Sequence, residues 1–241
     1  VMKSSRYMPL GYDITEAQLV NVDLATTFCY SVSGTSRSGK TNLLKVFMKV
    51  AKAQNGKIYV FDGNTRELES FAKELGTDVY MTTPDELFDF MKLEIIPEFT
   101  RRNRNKADFS KSLHKNLEEY LQSEQKLFIF IGDMTALCDA VYGSHRDMKG
   151  FMEQMVARGD GHMIYLFACV AQNDVQGEHN TKRFLRGFVG WKDGIHLGGD
   201  VEHQRVFDFD VPMLERTKKL KAGMGHTAVE GITKRVITPI V

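Results

Sequence analysis

Residues 34–41 read Gly34-Thr35-Ser36-Arg37-Ser38-Gly39-Lys40-Thr41, and no other stretch constrains the fold as much. The run fits G-x-x-x-x-G-K-[ST], in which glycines let backbone N–H groups turn inward around a polyphosphate. The lysine reaches the β and γ oxygens, and the hydroxyl residue ligates Mg²⁺. Glycine-rich loops match this pattern by chance, so the flanks decide. An apolar, β-prone run at 28–32 enters the loop, and Leu43, Leu44, Phe47 and Val50 follow at helical spacing. The helix that opens at the loop adds the positive end of its dipole to the same place. Strand, loop and helix come in the order that ATP and Mg²⁺ binding requires, with Thr41 as a metal ligand.

The rest of the chain alternates short apolar runs with helical patterns, which predicts βαβ units around a mostly parallel sheet flanked by helices. Strands are expected at 57–62, 79–81, 127–131, 163–170, 194–197 and 234–237, the run at 127–131 being apolar enough for a central strand buried on both faces. Helices are expected at about 66–75 and 147–158, and over a stripe of Leu113, Leu117, Tyr120 and Leu121. Another opens at Thr83-Pro84-Asp85-Glu86, with a cap residue, a proline in first position and acids in its first turn, and runs to about Arg104. The polar stretch 101–111 reads as a loop. The fold class is α/β, a RecA-like P-loop domain occupying 1–241 as one unit.

A net charge of +1 gives no bulk field of the kind that marks a nucleic-acid or membrane binder. The local basic cluster Arg101, Arg102, Arg104 and Lys106 reads as a solvated helix end, with phosphate contact as the alternative. Cys29, Cys138 and Cys169 are odd in number and far apart, so they read as core thiols in a reducing compartment. The seven histidines show no metal-ligand spacing. No run approaches the ~18 to 20 apolar residues of a membrane span, and no signal-type core follows the amino terminus. Because it opens on Val1, the chain is expected to be a piece of a larger protein.

A P-loop enzyme also needs a carboxylate at the end of a neighbouring strand, and Asp133, after the run at 127–131, fits that Walker B place. The competing reading is a helix N-cap. Many such ATPases carry a glutamate at the next position as the base that activates water, but here it is Met134, whose thioether accepts no proton. Asp139 reads as a solvated acid. After the run at 163–170, Gln172 is expected to sense the γ-phosphate, against the alternative of a turn that ends a strand.

Together these segments resemble the FtsK/SpoIIIE family of P-loop ATPases. The likeness rests on Gly11-Tyr12-Asp13, Val22-Asp23-Leu24, the loop from Val32 through Asn42, Gly132-Asp133, and the run from Gly161 to Ala171-Gln172. Within the family, Gly194-Ile195-His196-Leu197-Gly198-Gly199, Gln204 to Asp208 and Leu220 to His226 are most similar to the last ATPase domain of the EssC/EccC proteins of type VII secretion. The resemblance implies that Asn42 joins the nucleotide set and that the parent is a membrane-anchored motor at the cytoplasmic face of the bacterial membrane. It further implies adjacent ATPase domains as partners, hexamers, and WXG100-type secreted proteins or other secretion components, with no DNA expected. Arg146, Arg158 and Arg183 are candidates for an arginine acting in trans. Two departures, Met134 and Arg37 where glycine is frequent, imply a degenerate, weakly hydrolysing site. The alternatives are a DNA-translocating motor and an interaction module with a vestigial loop.

Overall fold

The computed structural model describes residues 6–110, 124–159, 161–175, 181–190, 193–229 and 231–241. The predicted stripe from Leu113 to Leu121 lies outside them. Ten strands form one sheet in the order β2-β1-β10-β9-β8-β3-β7-β6-β4-β5. They are β1 Tyr7–Asp13, β2 Leu19–Asp23, β3 Cys29–Gly34, β4 Lys57–Phe61, β5 Val79–Met81, β6 Leu127–Ile131, β7 Ile164–Cys169, β8 Gly194–Gly199, β9 Leu220–Val229 and β10 Ile232–Ile237. From β8 to β5 every neighbouring pair is parallel. From β8 outward through β9, β10, β1 and β2 every pair is antiparallel.

The parallel strands are sandwiched. On one face α1 (Lys40–Ala53) and α2 (Glu69–Leu75) pack Leu43, Leu44, Phe47 and Phe71 onto Tyr30, Val32, Phe128, Phe130 and Phe167. On the other, Leu87 and Phe88 of α3 (Pro84–Phe90), Leu137 and Val141 of α5 (Met134–Tyr142), and Met152 of α6 (Arg146–Arg158) cover Ile129, Ile131, Leu166 and Ala168. Each large apolar side chain so buried contributes about 2 kcal/mol. Short helices α7 (Gln172–Val175) and α8 (Met213–Arg216) follow.

At α3 the N-terminal signals act as read. Thr83 Oγ1 accepts from the Glu86 N–H, Glu86 reaches back to the Thr83 N–H, and Pro84 opens the helix. A π turn, Met91–Ile95, joins α3 to α4 (Ile96–Ser110), so the stretch expected as a loop from 101 is helical through Ser110. The reason is Arg102, which is 1% exposed. It pairs with Glu98 and donates to the carbonyls of His162, Met163 and Gln125, tying α4 to the starts of β6 and β7. Arg101 meanwhile makes paired bonds to Glu98 and Glu124. Two members of the basic cluster are thus committed to protein carboxylates. The helix predicted from Arg66 begins at Glu69, because Arg66 takes a left-handed φ of 50° that interrupts the helical backbone.

Candidate nucleotide site

Strands β3, β4, β6, β7 and β8 all end at one edge of the sheet, and the predicted site residues gather there. β3 runs into the loop at Gly34, whose φ of 151° and lack of a side chain are both required. A Cβ there would lie 2.3 Å from the Leu197 carbonyl oxygen and 2.6 Å from Ser38 Oγ. Gly39, at φ 107°, caps the start of α1. The loop is fastened on two sides: Thr35 N donates to the Leu197 carbonyl at 3.1 Å, and Gly223 N donates to the Ser38 carbonyl at 2.9 Å. Lys40 Nζ reaches back over the loop to the carbonyls of Gly34, at 3.1 Å, and Thr35, at 2.9 Å.

Ser38 Oγ is buried with no hydrogen-bond partner among the described residues. A polar atom left so costs about 1–3 kcal/mol, which an acceptor entering the loop would relieve. Together with the two glycines at positive φ and the lysine, this fits a polyphosphate group with its cation. Ser36 and Arg37 are exposed, and Arg37 holds a left-handed φ of 57°, which explains why glycine suits that place. Asn42 is turned to the carboxyl-terminal segment, donating to the Pro239 carbonyl at 2.8 Å and accepting from Val241 N at 3.0 Å.

Asp133, Asp62 and Glu67 stand at the same edge. Asp133 caps α5, its Oδ1 accepting from Ala136 N at 2.9 Å, while its other oxygen lies against Gly63 at the end of β4. The capping role weighed from sequence is therefore present, and one oxygen remains beyond it. Asp62 follows β4, is buried, and accepts from Leu68 N at 2.7 Å and Tyr80 OH at 2.9 Å. Burial pushes its carboxyl above the usual range, opposed by those donors. Glu67 accepts from Thr41 Oγ1. Sequence reasoning missed Asp62 and Glu67 because neither lies in a spaced motif; only an acid directly after the apolar run of β4 hinted at them.

Met134 is 1% exposed and packs in the core, so position 134 does not face the loop. The thioether at 134 supplies no proton acceptor, and Asp62, Asp133 and Glu67 are acids that do stand at this edge. Asp139 is exposed and pairs with Lys182, as its solvated reading predicts. Gln172 opens α7, its Nε2 contacting the His203 carbonyl at 3.4 Å. Cys29 and Cys138 are buried, whereas Cys169, at the end of β7, is partly exposed and not wholly a core thiol.

Beyond the loop, register places Ser33 beside His196 and His196 beside His226, a buried polar row crossing from β3 to β9. Burial lowers both histidines to about 4, helped at His196 by the charges of His226 and Lys40, and at His226 by Arg235. Of the candidate trans arginines, Arg146 donates to the Tyr142 carbonyl, and Arg158 and Arg183 line one surface groove.

No family model matches the chain. Among solved structures it is similar to EssC (ATPases 2 and 3) from Geobacillus thermodenitrificans, at 19% identity and a TM-score of 0.74, covering 100% of this chain and 42% of that one. It is also similar to the pCW3 conjugation coupling protein TcpA in its monomer form with ATPγS, at 16% identity and a TM-score of 0.70, covering 99% and 67%. Among curated proteins it is 22% identical over 186 residues to the UDP-N-acetylmuramoylalanine–D-glutamate ligase of Clostridium botulinum (strain Alaska E43 / Type E3), 70% of this chain and 40% of the ligase. The chain thus spans less than half of the EssC structure and of the ligase. Topology, loop geometry and the likenesses to EssC and TcpA agree: the chain has the fold of an FtsK/SpoIIIE-like P-loop ATPase domain and resembles the ATPase domains of EssC.

Proposed function

We propose that this chain binds ATP with Mg²⁺ and acts as a nucleotide-binding module of a type VII-like secretion motor, in which binding sets conformation and turnover is slow. The observation that carries this is the loop itself: Gly34 and Gly39 at positive φ, Lys40 poised on two carbonyls, and Ser38 Oγ buried without a partner. In this reading Lys40 exchanges carbonyls for phosphate oxygens, and the N–H groups of the 34–42 stretch other than those of Thr35 and Ser38, which are bonded to Leu197 and Thr35, cradle the chain of phosphates. Thr41 ligates Mg²⁺, Asp133 serves the metal side and the attacking water, and Gln172 reads the γ-phosphate. The bound cation would neutralise phosphate charge. Slow turnover follows from Asp133 being half-engaged as a helix cap and from Met134 facing the core. The likeness to EssC supports neighbouring ATPase domains, assembly into hexamers, small secreted proteins as clients, and a place at the cytoplasmic face of a membrane-anchored parent. Among the described residues, no helix is long and apolar enough to cross a membrane.

The rival reading, a DNA translocase, draws on the likeness to a conjugation coupling protein. Two of the four residues behind its sequence support, Arg101 and Arg102, are bound to Glu98 and Glu124. Calorimetric titration with ATP and Mg²⁺ tests the proposal. A saturating signal that Lys40→Ala abolishes is expected; a flat wild-type titration overturns it. Tight, salt-sensitive DNA binding near physiological ionic strength would favour the rival.

A further inference from the structure

We infer that Glu67, from the loop after β4, is the carboxylate that orients the Thr41 hydroxyl toward the nucleotide's metal, a second acid at the metal side beside the Walker B candidate Asp133. The inference rests on the ATP-binding reading above and adds a positioning residue to it. A threonine hydroxyl has one proton and two lone pairs. In this structure its proton goes to Glu67 Oε2, with the two oxygens 2.5 Å apart. That choice leaves the lone pairs of Thr41 for a cation, in the way that an outer carboxylate fixes and strengthens a metal ligand. The negative charge also stands next to where the cation would sit.

The placement of Glu67 is built and not incidental. Its loop spans residues 62–68 and is clamped from within by Asp62, whose Oδ2 accepts from Leu68 N at 2.7 Å and whose carbonyl accepts from Thr65 Oγ1 at 2.8 Å. Leu68, 1% exposed, anchors the exit in the core. Gly63 and Arg66, at φ 60° and 50°, give the loop the two left-handed steps it needs. Asp133, by contrast, spends one oxygen on Ala136 N and presents the other to Gly63. Asp62 is the buried clasp of the loop, and Glu67 is its exposed tip.

The test compares affinity for a fluorescent ATP analogue, with excess Mg²⁺ and with EDTA, in the full chain and its variants. Wild type is expected to bind more tightly with Mg²⁺. Glu67→Gln keeps the size of the side chain and removes its charge. It is expected to lose about tenfold or more of the Mg²⁺-bound affinity. Its affinity in EDTA should match wild type, which also shows that the variant is folded. Thr41→Ala should give the same collapse, and adding Glu67→Gln to it should cost little more. Wild-type Mg²⁺ dependence in Glu67→Gln, with the loss appearing in Asp133→Asn instead, would overturn the inference and leave ATP binding standing. Failure of wild type to bind the analogue in either buffer would overturn both.

Discussion

The two halves of the sheet obey different rules. From β8 to β5 the strands are parallel and covered on both faces: all five residues of β6 are buried, as are five of the six in β3. From β9 to β2 they are antiparallel and mixed, with β2 alternating exposed, buried and intermediate positions and β10 burying only Val236. The first half is buried on both faces, whereas the second buries one set of side chains, among them Met8, Leu10, Val20, Val22 and Val236, and carries polar pairs such as Arg6 with Asp23 and Lys234 with Glu16. The nucleotide site belongs to the first half. The loop that forms it is nevertheless bonded to both.

This contrast can be broken or sharpened by measurement. The largest effect is expected from Arg102→Ala in the parallel half. It strips three carbonyls and Glu98 of a buried partner and should cost about 3–5 kcal/mol in denaturant unfolding. Arg101→Ala, on the exposed side of the same helix, should cost under about 1 kcal/mol. In the antiparallel wing, Gly11→Ala puts a methyl 2.2 Å from the Ile237 carbonyl oxygen and should cost about 3 kcal/mol. Hydrogen exchange after that change should rise in β1 and β2 while β3, β6 and β7 stay protected; equal loss in both halves would show that the wing is not a separable unit.

Acid comes next. His196 and His226 are held near 4, below the ~6.5 of an unfolded histidine, so the unfolded chain binds more protons between those values. Their contribution is complete above about pH 6.5 and falls away toward pH 4, by up to about 3 kcal/mol for one such group, the adjacent pair being less than additive. Unfolding midpoints at neutral and mildly acid pH should separate in wild type and draw together in a His196→Gln/His226→Gln double variant. The smallest effect is at Arg37. Replacing it with glycine relieves a left-handed residue, offset by a looser unfolded chain, for a net change within about 1 kcal/mol.

How much of this was legible in the sequence follows the same division. β6 and β7 were readable because strands covered on both faces are continuous apolar runs. The loop was readable because its chemistry needs fixed spacing. β1 was not read as a strand, since Pro9 and Gly11 interrupt it and its partners are β2 and the far end of the chain. β9 hid behind Gly223 and Gly225, which look like breakers until β8 and β10 are seen on either side. Glu67 gave no local signal, because what matters is its meeting Thr41 across 26 positions. The basic cluster misled for the opposite reason: charges adjacent in sequence point to different sides of a helix, and one of them goes inward.

The carbonyl of Ser38 accepts from Gly223, and the carbonyl of Gly223 accepts in turn from the backbone N–H and the hydroxyl of Thr238. Asn42, in the first turn of α1, grips the peptide that follows at Pro239. The floor of the hollow is therefore a rung in a ladder whose last step is the end of β10. The loop and the β9–β10 hairpin share backbone bonds, so the conformation of one is tied to that of the other.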